Sequence, residues 1–316
     1  MNIDPRPSWA RTGAIVGAFV WCGALFFRLA DAKETDLIEK ILLLGVLVIV
    51  PLGLSLLGPA QQEGSHSWFY RLAILIQPLG AAAVVVSFFL AQGPEAALLA
   101  SLWLVVEGLI ALYGLSRLRL RELRTTAELA IDVGLIYLPI GGAWLMMSRL
   151  GLRPLGFGDT IVLLTAVHFH FAGYAAPILT GLAGRVLIHA PANIRRAFTL
   201  SAIGVTTGTP LIAAGITFSP SLGLIGTLLI TFSLMLLGML VVGWVVPMLR
   251  SRAAQLLLVL SSVSSFVSMV LACFYSYSLV AKELIIDIPQ MALTHGLMNA
   301  LGFSLCGLAA WALVRD

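Results

Sequence analysis

Six ionisable side chains stand inside long apolar runs of this chain: Glu107, Glu128, Asp132, His168, His170 and His295, with Tyr174 and Asn299 four residues beyond the last two histidines. Carboxylates and imidazoles load and release protons, and imidazole does so near neutral pH. Imidazole and carboxylate also hold zinc, copper or iron. An ionised group at the centre of a bilayer costs at least about 2.5–3.5 kcal/mol, so such residues turn inward and mark candidate sites. Their chemistry therefore depends on whether the surrounding runs are membrane helices.

Composition says that they are. Of 316 residues, 59% are hydrophobic and only 11% charged, against about 25% charged in an ordinary soluble domain. A mean hydropathy of +1.01 fits a bilayer as solvent. Each crossing takes about 20 apolar residues. Runs near 12–30, 38–59, 69–91, 96–116, 125–148, 158–182, 197–217, 222–247, 253–281 and 288–314 predict an all-α, polytopic transmembrane helix bundle of about ten helices. Little chain remains for anything else, so residues 1–316 read as a single integral membrane domain. Ten helices would divide into halves 1–150 and 151–316, which show no convincing internal repeat.

The first run needs its own reading. Arg6 and Arg11 precede it, and Ala30-Asp31-Ala32 after it has the form of a signal-peptidase site. The run is long for a signal peptide and ends in Arg28, which favours a retained helix. Placing the N-terminus in the cytoplasm puts thirteen of the 19 Lys and Arg on that side, leaving Arg28, Lys33, Lys40, Arg149, Arg153 and Lys282 outside. Cytoplasmic loops carry that excess, so both termini are expected in the cytoplasm. Membrane lipids are then its constant partners. Nucleic acid is not expected, because no basic stretch interleaves with aromatics on a polar face. The basic run Arg117–Arg124 reads as anchoring at an anionic leaflet, with recognition of one headgroup as the sharper alternative. Cys22, Cys273 and Cys306 sit far apart in apolar runs and read as buried thiols.

At 1.5 Å rise per residue, Glu107 lies roughly 17 Å deep, His168 roughly 15 Å and His170 roughly 18 Å. Asp132 stands roughly 10 Å from the inner face, and His295 roughly 10 Å from the outer one. Glu128, near the inner boundary, is expected to pair with an arginine. His168 and His170 are two residues apart and point about 200° apart on a regular helix. The face through His170 also carries Gly173, Tyr174, Pro177, Gly181 and Gly184, suited to close packing around an irregular backbone. His170 is therefore favoured over His168, unless the helix unwinds ahead of Pro177 and lets both converge. In the last run His295, Asn299, Gly302 and Cys306 follow one stripe, and Asn299 at i+4 can orient His295. Gln77 and Ser261–Ser265 read as polar groups that pack helices together.

These residues carry a resemblance. His168-Phe169-His170-Phe171-Ala172-Gly173-Tyr174 with Gly184-Arg185, and Pro289 through Met291, His295-Gly296, Asn299 and Gly302-Phe303, resemble the YndJ family of bacterial membrane proteins. The resemblance runs mainly from residue 155 to the end. It implies a multi-pass bacterial membrane protein of a kind sometimes labelled a transporter, and it assigns no reaction to any residue.

Three functional classes remain open. The first is transport of a small molecule or ion with proton coupling, along a path through Glu107, Asp132, His168, His170, Tyr174, His295 and Asn299. The second is an intramembrane enzyme acting on a lipid or other apolar substrate, with His168, His170 and His295 as ligands of a transition metal such as zinc, copper or iron. No HExxH or repeated His-box motif accompanies it. The third is a membrane scaffold or sensor, for which the buried polar groups would be incidental.

Overall fold

A computed structural model of the chain describes residues 6–27, 35–57, 67–120 and 125–315. These residues form ten helices: α1 Arg6–Ala24, α2 Asp36–Ser55, α3 Ser67–Phe88, α4 Pro94–Leu120, α5 Thr126–Leu150, α6 Asp159–Leu187, α7 Ala192–Phe218, α8 Pro220–Met248, α9 Arg252–Ala281 and α10 Ile288–Val314. Among the described residues there is no strand. The nine helices α2 to α10 are long and apolar enough to cross a membrane. The protein is a polytopic, all-helical membrane protein.

Helix ends lie close to the expected runs, with one exception. The first helix begins six residues ahead of the expected 12 and stops at Ala24 instead of residue 30. Pro7 is tolerated in that first turn, where no intrahelical N–H is needed. Ala30-Asp31-Ala32, together with Arg28, Lys33, Arg121 and Arg124 of the charge asymmetry, lies outside the described residues.

Three prolines set the irregular turns. Pro51, Pro177 and Pro247 each stand two residues beyond a π-helical turn, at Gly45–Ile49, Phe171–Ala175 and Val241–Val245. A proline has no N–H to offer and its ring crowds the preceding turn, and widening that turn accommodates both. In α2 the Val50 N–H reaches back to the Gly45 carbonyl. Pro51 has no N–H for the next carbonyl, that of Val46, and the Gln77 side-chain amide donates to it at 3.4 Å. The helix before Pro177 therefore widens without unwinding.

The chain forms two compact units, residues 1–123 with 132–175 and residues 124–131 with 176–316. In the first, α2 is the most enclosed helix, with 89% of its membrane window buried. Gly17 of α1 rests on the backbone of Leu47, where no Cβ would fit. The fully buried large side chains of this unit include Tyr70, Phe88, Trp103, Tyr113, Arg117 and Tyr174. In the second, α7 and α8 pack closely: Gly208 lies against Ile230, and the Ser201 hydroxyl donates to the Ser233 carbonyl at 2.7 Å. The serines of α9 do pack helices, Ser261 donating to the Phe303 carbonyl of α10 at 2.7 Å.

Candidate functional site: a buried histidine and carboxylate

His170 is the last residue of the regular part of α6, directly ahead of the π turn. Its ring is wholly buried and so is Glu107 of α4. Imidazole Nε2 lies 2.9 Å from Glu107 Oε1. Trp103, one turn before Glu107, donates its indole N–H to the same Nε2 at 3.1 Å, its ring near-parallel to the imidazole with centroids 6.3 Å apart. His170 Nδ1 lies 2.8 Å from the Ala166 carbonyl.

These partners assign the protons, by the usual reasoning from hydrogen-bond networks. A carbonyl only accepts, so Nδ1 carries a hydrogen. An indole N–H only donates, so Nε2 presents its lone pair. A bare carboxylate would set its own lone pairs against that one at 2.9 Å. Glu107 is wholly buried, where a carboxylate is costly unless donors surround it, and the groups that reach it are His170, Trp103 and the Gly142 backbone. The arrangement therefore places an acid and an imidazole where one proton can pass between Glu107 and His170.

Two glycines of α5 make the room. A Cβ on Gly141 would lie 2.8 Å from His170 Nδ1, and one on Gly142 would lie 2.9 Å from Glu107 Cδ. Across the site Gly45 of α2 faces the imidazole, at 3.2 Å from the His170 Cβ. Trp103 is seated against Gly80 of α3. Five helices thus close around one His–Glu pair. Trp103 and the Gly141-Gly142 step were absent from the sequence reading. The i,i+4 spacing of Trp103 and Glu107 was the available signal.

The other expected residues go elsewhere. Asp132 of α5 is bound to Arg117 of α4 at 2.6 Å, with both nearly inaccessible. Arg117 also donates to the Tyr113 hydroxyl at 3.4 Å and lies over its ring. Counting ten residues from Glu107 along α4, this ion pair stands roughly 15 Å from the His–Glu pair. Arg117 is accordingly a buried counter-charge, not a headgroup anchor. Tyr174 donates to the Val50 carbonyl at 2.9 Å, and Gly53 leaves room for it. His168 turns to its own helix, Nδ1 lying 2.7 Å from the Leu164 carbonyl; it does not join His170.

Within the second unit Glu128 is bound by Arg185 through two contacts of 2.6 and 3.0 Å. His295 and Asn299 share a network there. His295 Nδ1 lies 2.8 Å from the Ser268 carbonyl, the Asn299 amide nitrogen lies 3.2 Å from Nε2, and Asn299 Oδ1 accepts from the Ser268 hydroxyl at 3.0 Å. Asn299 orients the imidazole, as its spacing suggested. Both residues occupy π-helical turns, Ala292–Gly296 and Met298–Leu305. Among the described residues no three His, Cys, Asp or Glu side chains cluster as metal ligands. His170 has a single carboxylate beside it, and its other nitrogen is committed to a carbonyl.

Fold and site together define a multi-pass helical membrane protein with a His–Glu pair buried in one of its two units. A family model described as YndJ-like protein matches residues 40–303, and the chain belongs to that family. The match begins far ahead of residue 155, so the likeness extends well into the first half. Among curated proteins, the chain is 29% identical over 315 residues to the Bacillus subtilis (strain 168) protein named "Uncharacterized membrane protein YndJ", covering 96% of this chain and 53% of that one. The chain thus spans about half the length of that relative. No solved structure matches.

Proposed function

We propose that this protein moves a small solute or ion across a bacterial cytoplasmic membrane with proton coupling, and that Glu107 with His170 is the proton site. The observation that carries the reading is the approach of His170 Nε2 to Glu107 Oε1 at 2.9 Å, in a place with no exposure. Buried acid–imidazole pairs of this kind suit proton relays. Loading and unloading switch the pair between neutral and charged states, and charge inside a dry helix bundle favours a different packing. The π turn beside His170 is the element that can absorb such a change, since π turns recur at functional sites. The metal-enzyme alternative has less behind it, because His168 and His170 face different partners and no three such ligands cluster among the described residues.

The test uses the full chain reconstituted in vesicles with the pH dye pyranine trapped inside. An imposed pH step should collapse faster in vesicles with wild type than in empty ones, and the gain should vanish in Glu107→Gln. Wild-type vesicles as tight as empty ones, with or without an opposing membrane potential, would remove the proposal.

A further inference from the structure

About 10 Å away by helix rise in the same unit lies a second pair of buried charges that the Glu107–His170 site does not use. Glu39, in the first turns of α2, is 4% exposed, and Arg149, near the end of α5, is 2% exposed. Arg149 has a structural duty: its Nη2 donates to the carbonyls of Ser87 at 3.0 Å and Leu90 at 2.8 Å, past the end of α3. Its guanidinium also lies over the Phe88 ring, 4.9 Å from the centroid. Its Nε nevertheless has no partner. Glu39 is in the same position. One oxygen accepts a long 3.4 Å hydrogen bond from the Thr35 hydroxyl, and Oε2 has no partner.

Arg149 is the cation that acts most on Glu39; Asp36 and Lys40 also reach it, but Lys40 is bound to Asp36 at 2.7 Å. Glu39 and Arg149 do not form an ion pair with each other. Arg149 Nε and Glu39 Oε2 are thus a buried donor and a buried acceptor of opposite charge, each with no partner of its own, and water is the smallest group that serves such atoms.

Two helices fix the distance from this layer to the His–Glu pair. On α2 six residues separate Glu39 from Gly45, which touches His170; on α5 seven separate Arg149 from Gly142, which touches Glu107. Both counts give about 10 Å at 1.5 Å per residue, a gap that roughly three hydrogen-bonded waters span at about 2.8 Å each.

We propose that Glu39 is the group through which the Glu107–His170 pair exchanges its proton with the aqueous side at the Arg149 end of the unit, Arg149 stabilising the Glu39 carboxylate between transfers. This rests on the proton-transport reading. The transfer balances simply. The Glu39 carboxyl O–H bond breaks, the proton moves along intervening water, and an O–H bond forms on the Glu107 carboxylate. Glu39 is left as a carboxylate under the influence of the Arg149 charge, and it recovers a proton from the solution outside.

The pyranine vesicles decide it. Wild type should move protons, Glu39→Gln should slow the movement at least tenfold, and Glu39→Asp, which keeps a carboxyl, should retain at least half of the wild-type rate. Glu39→Ala is read in the same way as a second variant, and each protein is first checked for an unchanged melting temperature. Wild-type rates in Glu39→Gln or Glu39→Ala overturn the assignment while leaving the transport reading intact. So does Glu39→Asp as slow as Glu39→Gln. A wild type that moves no protons sinks both readings.

Discussion

Replacing Glu107 by glutamine should leave the fold almost untouched, whereas alanine should damage it. Glu107 is wholly buried with its Oε1 2.9 Å from His170 Nε2. If the pair is neutral, glutamine presents an N–H to Nε2 in the same shape. A swap of like volume with the hydrogen bond kept costs less than about 1.5 kcal/mol. Alanine removes the group and leaves both a cavity and an unpaired Nε2, at about 2–5 kcal/mol for the truncation alone. Were the pair instead an imidazolium and a carboxylate, glutamine would strand a buried charge and cost about 3–5 kcal/mol. The two assignments thus differ by at least about 1.5 kcal/mol for one conservative change. In a chain of this size that is several degrees of melting temperature, at roughly 2–4 °C per kcal/mol. The assay is thermal unfolding of the purified proteins in one detergent at neutral pH. Glu107→Gln melting as low as Glu107→Ala would refute the neutral pair.

Other outcomes follow from the same geometry. Gly142→Ala should lower the melting temperature by the equivalent of about 1–3 kcal/mol, because its Cβ would overlap the Glu107 carboxyl group; the combination with Glu107→Ala should recover part of it, and a strictly additive double variant would contradict the contact. Asp132→Asn should cost about 3–5 kcal/mol by removing the charge that Arg117 meets in a buried place, read by the same melts, while Arg117→Met with Asp132→Leu should be far milder than either single change. Tyr174→Phe should cost about 0.5–1.5 kcal/mol through the lost hydrogen bond to Val50, and little change would show that the carbonyl needs no second donor. In the second unit Asn299→Leu should cost about 0.5–1.5 kcal/mol by removing the amide that meets His295 and accepts from the Ser268 hydroxyl, with no effect on proton movement through Glu107.

Much of the fold was legible in the sequence because a membrane demands it. Apolar length, proline and glycine at the joints and the basic bias of alternate loops are properties of the chain itself, and in hydrocarbon a helix must satisfy its own backbone. That is why the expected runs and the described helices nearly coincide, and why the first, flanked by Arg11 and Arg28, was the one displaced. The sequence likewise singled out His170 over His168, since small residues and Pro177 share its face, and it linked Asn299 to His295 through a one-turn spacing. Pairing between helices was not legible. Glu107, Asp132 and His170 had similar depths, and depth alone joined all three. Arg117, read as a surface anchor, instead folds inward and takes Asp132. Trp103 and Gly141-Gly142, ordinary residues for a membrane helix, turned out to aim and enclose the His–Glu pair. Periodicity along one helix fixes which residues share a face. Which face meets which neighbour depends on the rotation and close packing of whole helices, and only the tertiary structure decides that.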